Sequence, residues 1–349
     1  MATTPKYNFP LSNENLQLPH QLIELSIQSL KKAPTLPPTN FHRIPRGCTL
    51  DHPCFSAPEA TLTKLTPNPA RTPIVAVDVA SMTIGETEEG TLLATRGAIV
   101  WNIASHYRYL RLGPFPYHLT ETHQNEFRTV IPENRRGSFP QEYVLPNILY
   151  AQAKLTALLE RWIQGFANQV FRNSLILWDG SLTASPIGTP PEAMRRLLED
   201  AKDGHNMVLA FSKMTRVLMH GTRITDLVRQ QPSPCLLKVK KPSFPSSLIL
   251  FGGIYVTKLA KGGLAFRMDV DSNLSDEQAV DGVQKLLGND LVLQGYPETL
   301  RLAHILSTFT ANEVIGLQRY IAKERHLKIV IRPNIRRLLF GRFGKGPEG

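Results

Sequence analysis

The stretch "LILWDGSL", residues 175–182, decides how the rest of the chain is read. Four apolar side chains, Leu175 to Trp178, run without interruption into Asp179 and Gly180. A short, continuous apolar run closed by a turn signal is the pattern of a strand buried on both faces. Such a strand belongs inside a sheet covered by helices. Its last residue then stands where open α/β sheets bind their ligands. Asp179 is a carboxylate at that place.

The neighbouring segments supply the rest of the sheet. "TPIVAVDVAS" (72–81) is a second apolar run, opened by Pro73 and reaching Asp78. "GTLLATRGAIVWNIASHYRYLRLG" (90–113) gives two β-rich runs, expected to be antiparallel partners of the first. "LPNILYAQAKLTALLERWIQGF" (145–166) has helical spacing. "PPEAMRRLLEDAKDG" (190–204) predicts a helix stopped by Gly204, and "NMVLAFSK" (206–213) the next strand. "SSLILFGGIYVTKLAKGGLAFRMDV" (246–270) reads as a hairpin turning at Gly262–Gly263. "SDEQAVDGVQKLLGN" (275–289) is a helix with Ser275 as its N-cap. Residues 297–326 are helical, with a break at Thr308–Thr310. Antiparallel strands first, then strands alternating with helices, define an α/β fold around one central mixed sheet. No internal repeat, GxGxxG or GxxxxGK[ST] occurs, which sets aside a dinucleotide fold and a nucleotide-binding P-loop.

The totals narrow the partners. The chain has 349 residues, a formal net charge of +11 and 42% hydrophobic residues, enough for a sizeable core and suited to a polyanion. Many basic proteins bind no nucleic acid, so charge alone does not choose. Three cysteines, Cys48, Cys54 and Cys235, make no disulfide framework, and the absence of a CxxC partner argues against a zinc site. The amino terminus lacks a basic n-region followed by an apolar run, and no stretch approaches 18 apolar residues. The expectation is a cytoplasmic protein without a membrane span. Residues 1–73 hold 12 of the 27 prolines, so residues 1–71 read as an extended arm carrying one helix, "HQLIELSIQSLKK" (20–32). The arm packs across the body or onto a partner, or forms a loose leader. The body is placed at 72–326, with a basic tail at 327–349.

Three strand-like segments end on or near an aspartate: Asp78, Asp179 and Asp269. A lone aspartate at such an end often serves only as a turn or capping residue. Three in one low-dielectric cleft repel one another unless a cation intervenes. Oxygen ligands without His/Cys spacing point to Mg²⁺ or Mn²⁺. Glu160, 19 residues before Asp179, lies on the small, polar face of its helix. It is either a fourth ligand or a solvated glutamate beside Arg161. In "GYPETLRLAH" (295–304), Tyr296 and His304 share a helical face. His304 is placed to ligate a metal or to move a proton, and Tyr296 to hold a phosphate; a histidine on an apolar helix also serves simply as packing. Lys213, at the end of "VLAFSK", forms a phosphate-contacting corner with Ser212 and Arg216, or a solvated strand end.

In order and context, "IVAVDVAS", the helix with Glu160, "LILWDGSL", "VLAFSK", "AFRMDV" and "GYPETLRLAH" resemble the NurA family. These are DNA end-processing nucleases that act with the hexameric translocase HerA. The resemblance spans residues 72–325, and "DGSL" with "GYP…L..AH" carries most of it. It implies an RNase H-like core and a divalent-metal site of Asp78, Glu160, Asp179 and His304, with Asp269 as a further acidic ligand. Tyr296 and Lys213 become catalytic positions, and a homodimer docked on the hexamer is implied as well. The first motif departs from the family's Val-Asp-Gly-Ser: here "VDVAS" puts Val79 and Ala80 where a glycine is expected, which predicts a different turn beside Asp78. Glu142 is the second choice for the glutamate.

The expected chemistry is phosphodiester hydrolysis with two Mn²⁺ or Mg²⁺ ions about 3.5–4 Å apart. Between residues 323 and 345, eight Lys and Arg stand against Glu324 alone. Arg336 and Arg337, beside Phe340 and Phe343, are candidates for a nucleic-acid path, a partner-docking segment or a solvated terminus. Two further readings stand beside the nuclease: a catalytically weak DNA-binding subunit that regulates the motor, and a structural RNA-binding protein.

Overall fold

The structure, a computed structural model, describes residues 20–31, 55–56, 59–120, 148–184, 189–215, 217–219, 222–240 and 249–330. Nine strands form its main sheet. They are β1 (Glu59–Lys64), β2 (Ile74–Glu86), β3 (Gly90–Ile103), β4 (His106–Thr120), β5 (Leu175–Asp179), β6 (Met207–Ser212), β7 (Cys235–Lys240), β8 (Gly252–Lys258) and β9 (Phe266–Asp271). Their order across the sheet is β1-β7-β8-β9-β6-β5-β2-β3-β4. β2, β3 and β4 form an antiparallel meander. β5 runs parallel to β2, and β6 parallel to β5. The remaining four strands extend the sheet by antiparallel pairing beyond β6. The mixed central sheet of an α/β fold is the one expected.

The helices are α1 (His20–Lys31), α2 (Ile148–Val170), α3 (Pro191–Asp203), α4 (Asp276–Asn289), α5 (Glu298–Ser307) and α6 (Ala311–Arg325). α3 makes the crossover that two parallel neighbours, β5 and β6, require. None among the described residues is long and apolar enough to cross a membrane.

Alternation along the strands assigns the two faces. Val75, Val77, Ile176, Trp178, Val208 and Ala210 pack with Leu155, Leu159 and Ile163 of α2. Ile74, Ala76, Leu175, Leu177, Leu209 and Phe211 pack with Val283 of α4 and Leu300 and Ala303 of α5. Both faces of β5 are therefore apolar, which is why its sequence is an unbroken apolar run.

Two pieces of the segment before residue 72 belong to this body. β1 is an edge strand, paired with β7 along its length. α1 packs on β4, where Ser26 Oγ donates to Pro116 O and Ser29 Oγ accepts from His118 N.

The helix ends follow local chemistry. Ser275 caps α4 through a reciprocal box with Gln278, and Thr310 caps α6 through one with Glu313. The second box explains the break at Thr308–Thr310: a new helix starts there.

Candidate metal centre

The site is built where β5 ends at Asp179, beside Asp78 within β2. Val77 pairs with Trp178, so Asp78 and Asp179, the next residues on parallel strands, stand side by side. By alternation both side chains leave the α2 face and turn toward α5. Asp78 is 7% exposed. Gly180 takes φ +133°, a region open to glycine and rarely to other residues, and its N–H donates to Phe211 O at 2.7 Å. The chain thereby leaves β5 directly after the carboxylate.

The strand β2 does not turn at Asp78. It continues through Val79 and Ala80 to Glu86, paired with β3. The expectation of an altered turn is therefore corrected: no glycine is needed because the backbone stays extended there.

α5 brings two more groups. His304 and Ser307, three residues apart, share one helical face. His304 Nδ1 lies 3.1 Å from Asp78 Oδ2 and 3.8 Å from Asp179 Oδ2. Ser307 Oγ donates to Asp78 Oδ2 at 2.5 Å. One ligand atom from each of Asp78, Asp179 and His304 falls within 4.8 Å of the other two. Lys213, directly after β6, donates from Nζ to Asp179 Oδ2 at 2.5 Å.

The electrostatics are those of crowded anions. Burial raises the Asp179 carboxyl above its ordinary range and Asp78 adds to the rise, while Lys213 and His304 oppose it. Glu160, on α2, accepts from Gln164 Nε2 at 3.3 Å. Its residue surface is partly exposed. Burial first, then the Asp78 and Asp179 charges, push its pKa up to about 7, with Arg161 opposing. Glu160 is thus an electrostatic neighbour of both aspartates. Tyr296 sits edge-on to Phe266 and Phe211, with ring centroids 4.9 and 6.1 Å away. Its hydroxyl is buried with no hydrogen-bond partner among the described residues. Burial and the charges of Asp179 and Asp78 drive its pKa upward.

Asp269 does not join them. It pairs across the sheet with Ala210, and Ala210 with Trp178, which places its side chain on the α2 face, opposite Asp78 and Asp179. It is fully buried. Arg267 donates from Nε to its Oδ1 and from Nη2 to its Oδ2, each at 2.7 Å, and Leu182 N donates to Oδ2 at 3.0 Å. The ligand role expected of Asp269 is replaced by a buried ion pair that moors the segment following Asp179. Arg216, Arg336, Arg337 and the alternative Glu142 lie outside the described residues.

One residue of the site, Ser307, and one supporting residue outside it, Arg267, were not singled out from sequence. Ser307 had a signal, its position one helical turn after His304. Arg267 had one too: residues i and i+2 of a strand share a face, so its charge was aimed at Asp269.

The crowding of Asp78, Asp179 and Glu160 gives a measurable sign. Glu160 has a folded pKa above its ordinary 4.5, so the folded chain holds that proton more tightly than the unfolded one. Its stabilising contribution is complete below pH 4.5 and is lost as pH rises toward 7. At about 1.4 kcal/mol per unit, the loss is at most on the order of 3 kcal/mol. Glu160→Gln should flatten the fall in metal-free stability over that window, measured by urea denaturation. Asp179, raised in the same direction, should leave a residual slope. An unchanged slope would remove Glu160 from the cluster.

No protein-family model and no curated protein matches the chain. Among solved structures it is similar to the NurA nuclease from Sulfolobus solfataricus, at 16% identity and a TM-score of 0.49, over 76% of this chain and 87% of that one. A second NurA structure is similar at 10% identity and a TM-score of 0.39, over 75% and 91%. Endonuclease V from Bacillus subtilis follows at 12% and 0.35, over 76% and 88%. At these identities and TM-scores the chemistry rests on the side chains themselves.

Proposed function

We propose that the chain is a divalent-metal-dependent deoxyribonuclease of the NurA kind, hydrolysing phosphodiester bonds at DNA ends. The observation that carries this is the convergence of Asp78, Asp179 and His304, with Glu160 close enough to be pushed up to about 7 by burial and by the two aspartates. Mutually repelling carboxylates around an imidazole fit a hard or borderline cation. A buried hydroxyl without a hydrogen-bond partner among the described residues, that of Tyr296, feels the charges of both aspartates.

Asp78, Asp179 and His304 would hold the ion, Mn²⁺ or Mg²⁺, and Glu160 would complete a site for a second. A divalent cation held there would offset the carboxylate charges and supply Lewis-acid activation of a phosphate and a water. Ser307 fixes the rotamer of Asp78. Lys213 exchanges part of its hold on Asp179 for the charge that builds on the phosphate. Tyr296 offers its hydroxyl to a phosphate oxygen, and His304 alternatively protonates the leaving oxygen.

The reading extends to a homodimer working in the cytoplasm with a HerA-type hexameric translocase, in repair or in defence against foreign DNA. It is supported by the family resemblance of "DGSL" and "GYPETLRLAH". Incubation of linear DNA with purified protein and Mn²⁺ tests the enzyme. Digestion is expected with the wild type and is expected to vanish with EDTA or in Asp179→Ala. Equal digestion by wild type and variant would contradict the assignment. Absence in both, even with the translocase supplied, would favour the DNA-binding regulatory subunit.

A further inference from the structure

An open cavity of about 520 Å³ lies outside the carboxylate cluster, between the edge strand β4 and the start of α6. Arg96, Tyr109, Arg111, Pro114 and Glu313 line it. Arg96, 3% exposed, donates from Nη1 to Thr308 O at 3.2 Å and meets Glu313 Oε1 from Nη2 at 3.0 Å. Its Nε is buried with no hydrogen-bond partner among the described residues, and its guanidinium lies over the Phe309 ring, 4.2 Å from the centroid. Arg111 Nη2 meets the same Glu313 Oε1 at 2.9 Å, and its side chain is 37% exposed. Two guanidinium groups thus share one carboxylate, leaving a net positive charge at an open mouth. Tyr109, 39% exposed, forms part of the wall.

The register locates this cavity relative to the cluster. Asp78 pairs with Ala98, and Ala98 with Arg111. The three lie in one row across neighbouring strands, so their side chains leave the same face. With strands about 4.8 Å apart, the Arg111 and Asp78 backbones are about 10 Å apart. A strand held at the cluster can therefore present a neighbouring phosphate to Arg111.

We infer that the Arg96–Arg111 cavity binds a backbone phosphate of the nucleic-acid strand whose scissile bond lies at the Asp78–Asp179 cluster. This rests on the nuclease reading. Arg96 is fixed by Thr308 and Glu313 and supplies a preformed charge. Arg111 is the accessible half of the pair, and a planar guanidinium matches two phosphate oxygens at once.

The test is binding of a short labelled single-stranded DNA in EDTA, followed by fluorescence anisotropy over a salt series. Arg111→Ala is expected to weaken binding about 10-fold and to reduce the slope of log K against log salt by about 0.7, the loss of one phosphate contact. Arg111→Lys should restore the slope while recovering only part of the affinity. Mn²⁺ affinity by calorimetry should be unchanged in both. Wild-type affinity and slope in Arg111→Ala would overturn the inference, as would absence of oligonucleotide binding by the wild type. Inorganic phosphate separates the sources: saturable phosphate binding lost in Arg111→Ala, with oligonucleotide binding intact, would also overturn it. Failure of the Mn²⁺-loaded wild type to cut DNA overturns the nuclease reading and leaves the binding comparison to stand by itself.

Discussion

Replacing Asp78 by asparagine is expected to lower Mn²⁺-dependent DNA cleavage by about 10²–10³-fold or more, and to raise the melting temperature of the metal-free protein by a few degrees. The two effects have one cause. Asp78 is buried, and its charge is among the causes that raise both Asp179 and Glu160. Without an ion, that charge is a liability. Asparagine keeps an oxygen to accept from Ser307 and removes the repulsion. Functional sites commonly hold such a trade between stability and activity. Cleavage assays and thermal denaturation of the same preparation check it. Loss of cleavage together with loss of stability would instead make Asp78 a packing residue.

Arg267→Ala is expected to destabilise the fold by about 3–5 kcal/mol, because it leaves a buried carboxylate without its counter-charge. Asp269 is fully buried on the face away from the cluster, and both of its oxygens accept from Arg267. Pairing the change with Asp269→Leu should recover much of the loss, since a buried ion pair contributes little over a packed apolar pair. Chemical denaturation measures both. The companion variant Asp269→Asn decides the role of the residue. It should weaken the fold and leave Mn²⁺ affinity near that of the wild type. A loss of Mn²⁺ affinity equal to that of an Asp179 variant would return Asp269 to the ligands.

Much of this was legible in the residues. The unbroken run from Leu175 to Trp178 announced a strand apolar on both faces, and it has α2 on one side and α4 with α5 on the other. Asp78 and Asp179 could be paired because two similar apolar runs each reach an aspartate at the same register, Val77 facing Trp178, although β2 continues past it. The gap between α5 and α6 was visible as Thr310 with Glu313 three residues on, a capping box written in sequence.

What escaped notice was long-range. β1 and β7 carry mixed patterns, because β1 is an edge strand and Lys238 of β7 turns out to meet Asp276. An edge needs no apolar alternation on its outer side. Asp269 was grouped with the other aspartates by its place near a strand end. Strand ends do not report which face a side chain leaves. Only the pairing of Asp269 with Ala210 separates it from Asp179, which pairs with Phe211. The Glu313–Arg96–Arg111 arrangement joins residues about 200 positions apart in the chain, and nothing local to any of the three announces it.

The central claim, that Asp78, Asp179 and His304 form a divalent-metal nuclease centre, is tested most directly by calorimetric titration of Mn²⁺ into wild-type protein and into Asp179→Asn. Saturable binding by the wild type, lost in the variant along with cleavage of linear DNA, is the predicted result. Equal Mn²⁺ binding by the two proteins, or cleavage that persists in EDTA, would contradict it.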